Sequence, residues 1–139
     1  MTTATAPARS VSAPRWAPRI GWILSFLVVA QLLSSAWFRA THHPFAVAEI
    51  VTSYGYPESA ILRIVIAECV LVVLYLVPQT SVLGVIVLTG YLGGAVATHL
   101  RIADTARAVI PLVVGMLAWG GLYLRDGRIR RLIPFRRPE

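Results

Sequence analysis

An all-α integral membrane protein, a four-helix bundle with a short interfacial helix in the first loop, is the fold this sequence predicts. Three observations carry it. The 139-residue chain is 57% hydrophobic and only 14% charged, which is not the composition of a soluble domain of this size. Its mean hydropathy is +0.71. Four apolar stretches, 20–38, 60–77, 80–98 and 108–124, each come close to the roughly 20 residues a helix needs to span hydrocarbon.

The first span follows a tail, residues 1–19, rich in Ala, Thr, Ser and Pro. Such a composition buries too little apolar surface to order itself, so this tail is expected to be disordered. Trp16 and Trp22 bracket the start of the span, as amphipathic rings do at a headgroup interface. The apolar run exceeds the roughly 7 to 15 residues of a signal-peptide core and reads as a membrane helix.

The connection 39–59 is the longest, and it is patterned. Val47, Ile50, Val51 and Tyr54 fall at i, i+3, i+4, i+7 spacing. Pro44 suits a first helical turn and Gly55 suits an end, so a short amphipathic helix at the membrane surface is expected. Pro57 pre-sets the backbone for the second span, with Glu58 in its first turn where the helix dipole favours a negative charge. Only Pro78 and Gln79 join the second and third spans, which makes them antiparallel neighbours. In the connection 99–107, Asp104 is placed to cap the fourth span, and Pro111 to kink it. Trp119 and Tyr123 are expected to mark its inner end.

The net charge of +7 is carried entirely by arginine, as there is no lysine. Apart from Arg63, within the second span, the arginines flank spans, and the C-terminal run has no aromatic interleaving beyond Phe135, which argues against nucleic acid and for lipid. Arg9, Arg15 and Arg19 precede the first span, and six follow the last, whereas Arg39, Arg101 and Arg107 lie in the other connections. The positive-inside rule then puts both termini in the cytoplasm of a multi-pass cell-membrane protein. The basic tail, 126–139, is expected to anchor on anionic lipid, worth about 1 kcal/mol per basic residue near the surface. The division is thus a tail 1–19, a membrane domain 20–125 and a basic tail 126–139.

Chemistry is sparse along the chain. The single cysteine, Cys69, excludes disulfide relay within one chain. His42, His43 and His99 lack the paired spacing of a metal site, so no metal is expected. No nucleophile set or phosphate loop is visible, and the chain reads as a subunit more than as an independent enzyme.

Glu68, mid-span, is the most informative residue, since a carboxylate there costs about 2.5 to 3.5 kcal/mol and must face protein or water. Counting outward from the Pro78-Gln79 turn puts Thr89 level with Glu68 and Gln31 within about a turn, which predicts a polar layer of the three. With no cation in that layer, Glu68 is expected to be protonated and to donate a hydrogen bond. Arg63 lies about 140° around the helix from Glu68 and is expected to snorkel outward. Turned inward, it would meet an anionic group near His99 and Arg101. Gly90 and Gly94 form a Gly-x-x-x-Gly face continuing to Thr98. That face permits close helix packing, or leaves beside Glu68 a slot for a flat lipophile such as a quinone ring.

Taken in order, Tyr54-Gly55-Tyr56-Pro57, a span with Glu68 at its middle and Pro78 at its close, then Leu88-Thr89-Gly90-Tyr91-Leu92-Gly93-Gly94-Ala95 and Thr98-His99-Leu100-Arg101 form one pattern. It resembles the DoxX-like family of small four-helix membrane proteins over roughly residues 20–125. The resemblance implies an accessory or anchoring subunit of a membrane assembly of redox character, with a protein partner or a second copy. The alternatives are a module that binds quinone or another lipophile, or a small proton or solute carrier that uses Glu68. The candidate ligand-binding residues are Glu68, Gln31, Thr89, Gly90, Gly94, Arg63, His99 and Arg101.

Overall fold

A computed structural model describes Pro14 and residues 16–132 of the protein. Among the described residues there are six α-helices, α1 (Ala17–Ala40), α2 (Pro44–Val47), α3 (Ser59–Leu76), α4 (Ser81–Arg101), α5 (Thr105–Arg125) and α6 (Gly127–Leu132), and one π-helical segment, Ala48–Ser53. Four of them, α1, α3, α4 and α5, are long and apolar enough to cross a membrane. They answer to the four predicted spans, and the chain is an all-α, multi-pass membrane protein. The disordered-tail expectation falls mostly on residues 1–13 and 15, outside the described residues, as does the end of the basic tail, 133–139.

Local chemistry sets the helix ends. Pro78 has no amide hydrogen and drives the preceding residue out of helical geometry; Val77 is accordingly extended, at φ −70° and ψ 120°, and α3 stops there. Thr80 Oγ1 donates to the Leu74 carbonyl at 3.0 Å and closes the turn into α4. Asp104 caps α5 as expected, its carboxylate accepting from the Arg107 amide at 3.1 Å. Pro44 opens α2. The segment Ala48–Ser53 then continues it as a wider coil, in which the Tyr54 amide reaches back five residues to the Glu49 carbonyl at 2.9 Å. Gly55 ends it at φ +72°, a conformation open to glycine at little cost.

The long helices form an antiparallel ring. α1 packs on α3 and α5, and α4 packs on the same two from the opposite corner. Both described chain ends and the α3–α4 turn lie at one end of this ring, and α2 lies at the other. Val28 and Leu32 of α1, Leu71 and Tyr75 of α3, Leu88 of α4 and Leu122 of α5 are all buried in a single core. Ile50 and Tyr54 form a second, smaller core with Ile61, so the first-loop helix folds back over the bundle end. The outer faces of the long helices carry exposed residues such as Phe26, Leu62, Ile86 and Leu112. A bilayer is the solvent such faces fit.

Candidate functional site

Glu68 lies near the middle of α3 and is 2% exposed. Its Oε1 accepts from the Arg39 guanidinium at 2.6 Å, from the Tyr91 hydroxyl at 2.7 Å and from the Ser35 hydroxyl at 3.0 Å. Ser35 and Arg39 stand four residues apart in α1, so one helix face presents both donors, and Arg39 also bonds the Ser35 hydroxyl. The Oε2 atom of Glu68 is buried with no hydrogen-bond partner among the described residues.

Two cavities flank this cluster. One, of about 500 Å³, opens between α1, α4 and α5 beneath α2, and Glu68, Gln31, Arg39 and His99 are among the residues lining it. Across its wall Glu49 and Arg107 approach to 3.7 Å, tying the wider coil after α2 to the start of α5. The other, of about 450 Å³, runs between α3 and α4, with Arg63 and Ala67 on one side and Gly90 and Gly94 on the other. Arg39, Tyr54, Tyr91, Ala95 and His99 line both and form the partition between them.

The Tyr54 hydroxyl lies 3.4 Å from His99 Nε2, with the two rings edge to face. Burial, and after it the charge of Glu49, raise the Tyr54 phenol above its ordinary value, so it keeps its proton at neutral pH. The second ring nitrogen of His99 is Nδ1. That nitrogen is buried without a hydrogen-bond partner, 4.0 Å from Asp104 and beyond bonding distance.

The predicted polar layer forms with different members. Thr89 is at the expected depth but faces α5: it donates to its own Val85 carbonyl at 2.8 Å and accepts from Trp119 Nε1 at 3.0 Å. Gln31 lines the Glu68 cavity without bonding the carboxylate. Ser35, Arg39 and Tyr91 take their places. The layer was expected to hold no cation, whereas Arg39 stands in it, 2.6 Å from the carboxylate.

Gly90 and Gly94 do not mediate close packing within the chain, since a Cβ at either would meet nothing within 4 Å. The slot they leave is open, but it belongs to the cavity that Glu68 does not line. Arg63 is exposed at that cavity and, among the described residues, makes no ion pair. Arg101 lines neither cavity; it bonds the Tyr54 carbonyl and lies 5.6 Å over the Tyr56 ring, fastening the end of the first loop to α4. Among the described residues no cluster of three metal-ligating side chains occurs.

The sequence reading missed Arg39, which it counted only as a loop charge, and Ser35. The available signal was their i, i+4 spacing on a helix that has to neighbour the one bearing Glu68.

No curated protein and no solved structure matches the chain. The pattern of the DoxX-like family matches residues 23–121, a stretch that runs from the start of α1 almost to the end of α5 and takes in the whole Glu68 cluster. The chain belongs to the DoxX-like family.

Proposed function

We propose that this protein is a binding module for a flat lipophilic molecule with a hydroxyl or carbonyl headgroup, a quinone being the class that fits, within a membrane redox assembly. The observation that carries the reading is the divided state of Glu68: three donors converge on Oε1, while Oε2 is buried, unpartnered and on the wall of a cavity of about 500 Å³. A buried acceptor without a donor costs about 1 to 3 kcal/mol, more when charged. A ligand hydroxyl would supply the missing donor. Arg39 and the Tyr54–His99 pair, on the same wall, could serve a carbonyl oxygen. Phe38, Ile110 and Val114 give the cavity its apolar faces, the usual composition of a small-molecule pocket.

In this reading the chain holds and orients its ligand and takes no covalent part, as befits an accessory subunit whose electrons come from a partner. Both termini face the cytoplasm, and the arginine-rich tail rests on anionic lipid.

The test is mass spectrometry of small molecules retained by the full chain extracted gently from its native membrane. The wild type should retain a lipophile that is lost in Glu68→Gln, which replaces one acceptor oxygen with a donor, and in Ser34→Trp, which fills the cavity from α1 and leaves the carboxylate alone. Retention of the same molecule by both variants would defeat the reading. An empty wild type that copurifies with a protein, unaffected by either substitution, would leave a purely anchoring subunit.

A further inference from the structure

We propose that the groove between α3 and α4 binds a second, different ligand: an anionic membrane lipid, its headgroup phosphate on Arg63 and one acyl chain laid along Gly90 and Gly94. This does not rest on the quinone reading, because Glu68 does not line the groove.

Charge is the first argument. In the α2 half of the bundle, Arg39 is neutralised by Glu68 and Arg107 by Glu49 and Asp104, while Arg101 is held by the Tyr54 carbonyl and the Tyr56 ring. Arg63 has no such partner among the described residues, and no acidic residue is among those lining its groove. An exposed guanidinium beside a span, with no counter-ion from its own chain, is the arrangement that recruits phosphate from outside.

Shape is the second. The walls recede where the residues are small, at Ala60 and Ala67 on α3 and at Gly90 and Gly94 on α4. Space at both glycines extends beyond 4 Å from where a Cβ would sit, so the trough is a gap open to the outside and not a packing seam.

Polarity along the trough is the third, and it fixes the direction of the occupant. α3 and α4 run antiparallel, so Arg63 and Thr98 share the α2 end while Ala67 and Gly90 lie toward the middle. At the α2 end Tyr56 and Thr98 join their hydroxyls at 3.2 Å, adding polar groups there. Gly90 lies eight residues from Thr98, about 12 Å along the helix. Arg63 is four residues past the start of α3, about 6 Å in, near headgroup depth for a span that begins at the interface. A polar, cationic mouth leading into an apolar trough parallel to the helices matches an amphiphile that arrives from the bilayer. A small soluble anion would have no use for the trough.

The experiment is native mass spectrometry of the full chain released from phosphatidylcholine vesicles that contain phosphatidylglycerol, counting the lipids that survive detergent exchange. The wild type should retain phosphatidylglycerol in preference to phosphatidylcholine, and Arg63→Gln should lower that retention about five- to tenfold, the effect of one charge at the surface. Gly94→Leu, which fills the trough and keeps the arginine, should abolish it. Thermal unfolding of each variant in detergent establishes that it is folded; because Arg63 is exposed, Arg63→Gln carries the test alone if Gly94→Leu fails. Three results would overturn the proposal: equal retention of both lipids by the wild type, retention unaltered in Arg63→Gln, or displacement of the lipid by inorganic phosphate, which would make this a site for a soluble anion.

Discussion

The end of the bundle that carries the chain termini and the end that carries α2 are made by the same four helices, yet they are filled in opposite ways. At the terminal end the backbones touch. A Cβ on Gly21 would lie 2.6 Å from the Arg125 amide nitrogen, and one on Gly84 would lie 2.6 Å from the Leu74 and Tyr75 backbone. The Ser25 and Tyr75 hydroxyls, 3.0 Å apart, spread their two protons over each other and the carbonyls of Gly21 and Ala118. Arg125 covers them, lying 4.7 Å over Trp22 and 4.5 Å over Tyr75. At the α2 end the helices stand apart around two cavities. The contrast teaches where each task is done: the terminal end fixes helix positions at van der Waals contact, and that rigidity lets the other end stay open.

The contrast is sharpest at Glu68. Glu68→Ala leaves the part-buried Arg39 without its partner and should cost about 1 to 3 kcal/mol. Thermal unfolding in detergent should show the loss, and it should largely disappear in the double variant Arg39→Met, Glu68→Met. If the single variant melts like the wild type, the open half makes no demand on electrostatics and the comparison fails.

Glycines give the next test, because the same residue type serves opposite ends of the argument. Gly84→Val pushes a branched side chain into backbone at 2.6 Å and should destabilise by about 1 to 3 kcal/mol or more. Tyr75→Phe removes one proton donor from the terminal cluster and should cost about 1 to 1.5 kcal/mol in the same assay. Gly90→Ala, on the open trough, should instead stabilise by about 0.5 to 1 kcal/mol, because a helical glycine gains from a Cβ wherever there is room for one. Equal responses at Gly84 and Gly90 would erase the distinction between packed and open halves.

Sequence patterning sufficed for the spans, the Pro78 turn, the Asp104 cap and the first-loop helix with its end at Gly55, because each is set by hydropathy or by a residue with restricted backbone chemistry. The cluster around Glu68 was legible only in depth. Counting from the turn put Thr89 at the right level, but depth says nothing about direction around the helix axis. Tyr91, two residues on and about 200° around, is the one that turns to Glu68. Arg39 was hidden for a different reason: at the end of a helix, a long flexible cation reads as an interfacial charge, and its reach back toward the bundle middle is a property of the folded neighbour. The sequence sets the glycine slot beside Glu68 because Gly90 shares that residue's depth and Gly94 lies one turn beyond it. The partition of Arg39, Tyr54, Tyr91, Ala95 and His99 that separates the two cavities has no signature in the spacing.

The Arg39–Glu68 bond also bears on how the chain enters the bilayer. Translation delivers α1 first and α3 after it, so the arginine at the end of one span waits for the acid in the middle of the next. Until the two helices dock, α3 presents a bare carboxylate to hydrocarbon, at a cost of about 2.5 to 3.5 kcal/mol on insertion scales. Pairing with Arg39 offsets part of that cost once α1 and α3 lie side by side. The ion pair thereby favours docking of α1 on α3, and Tyr91 of α4 completes the contact.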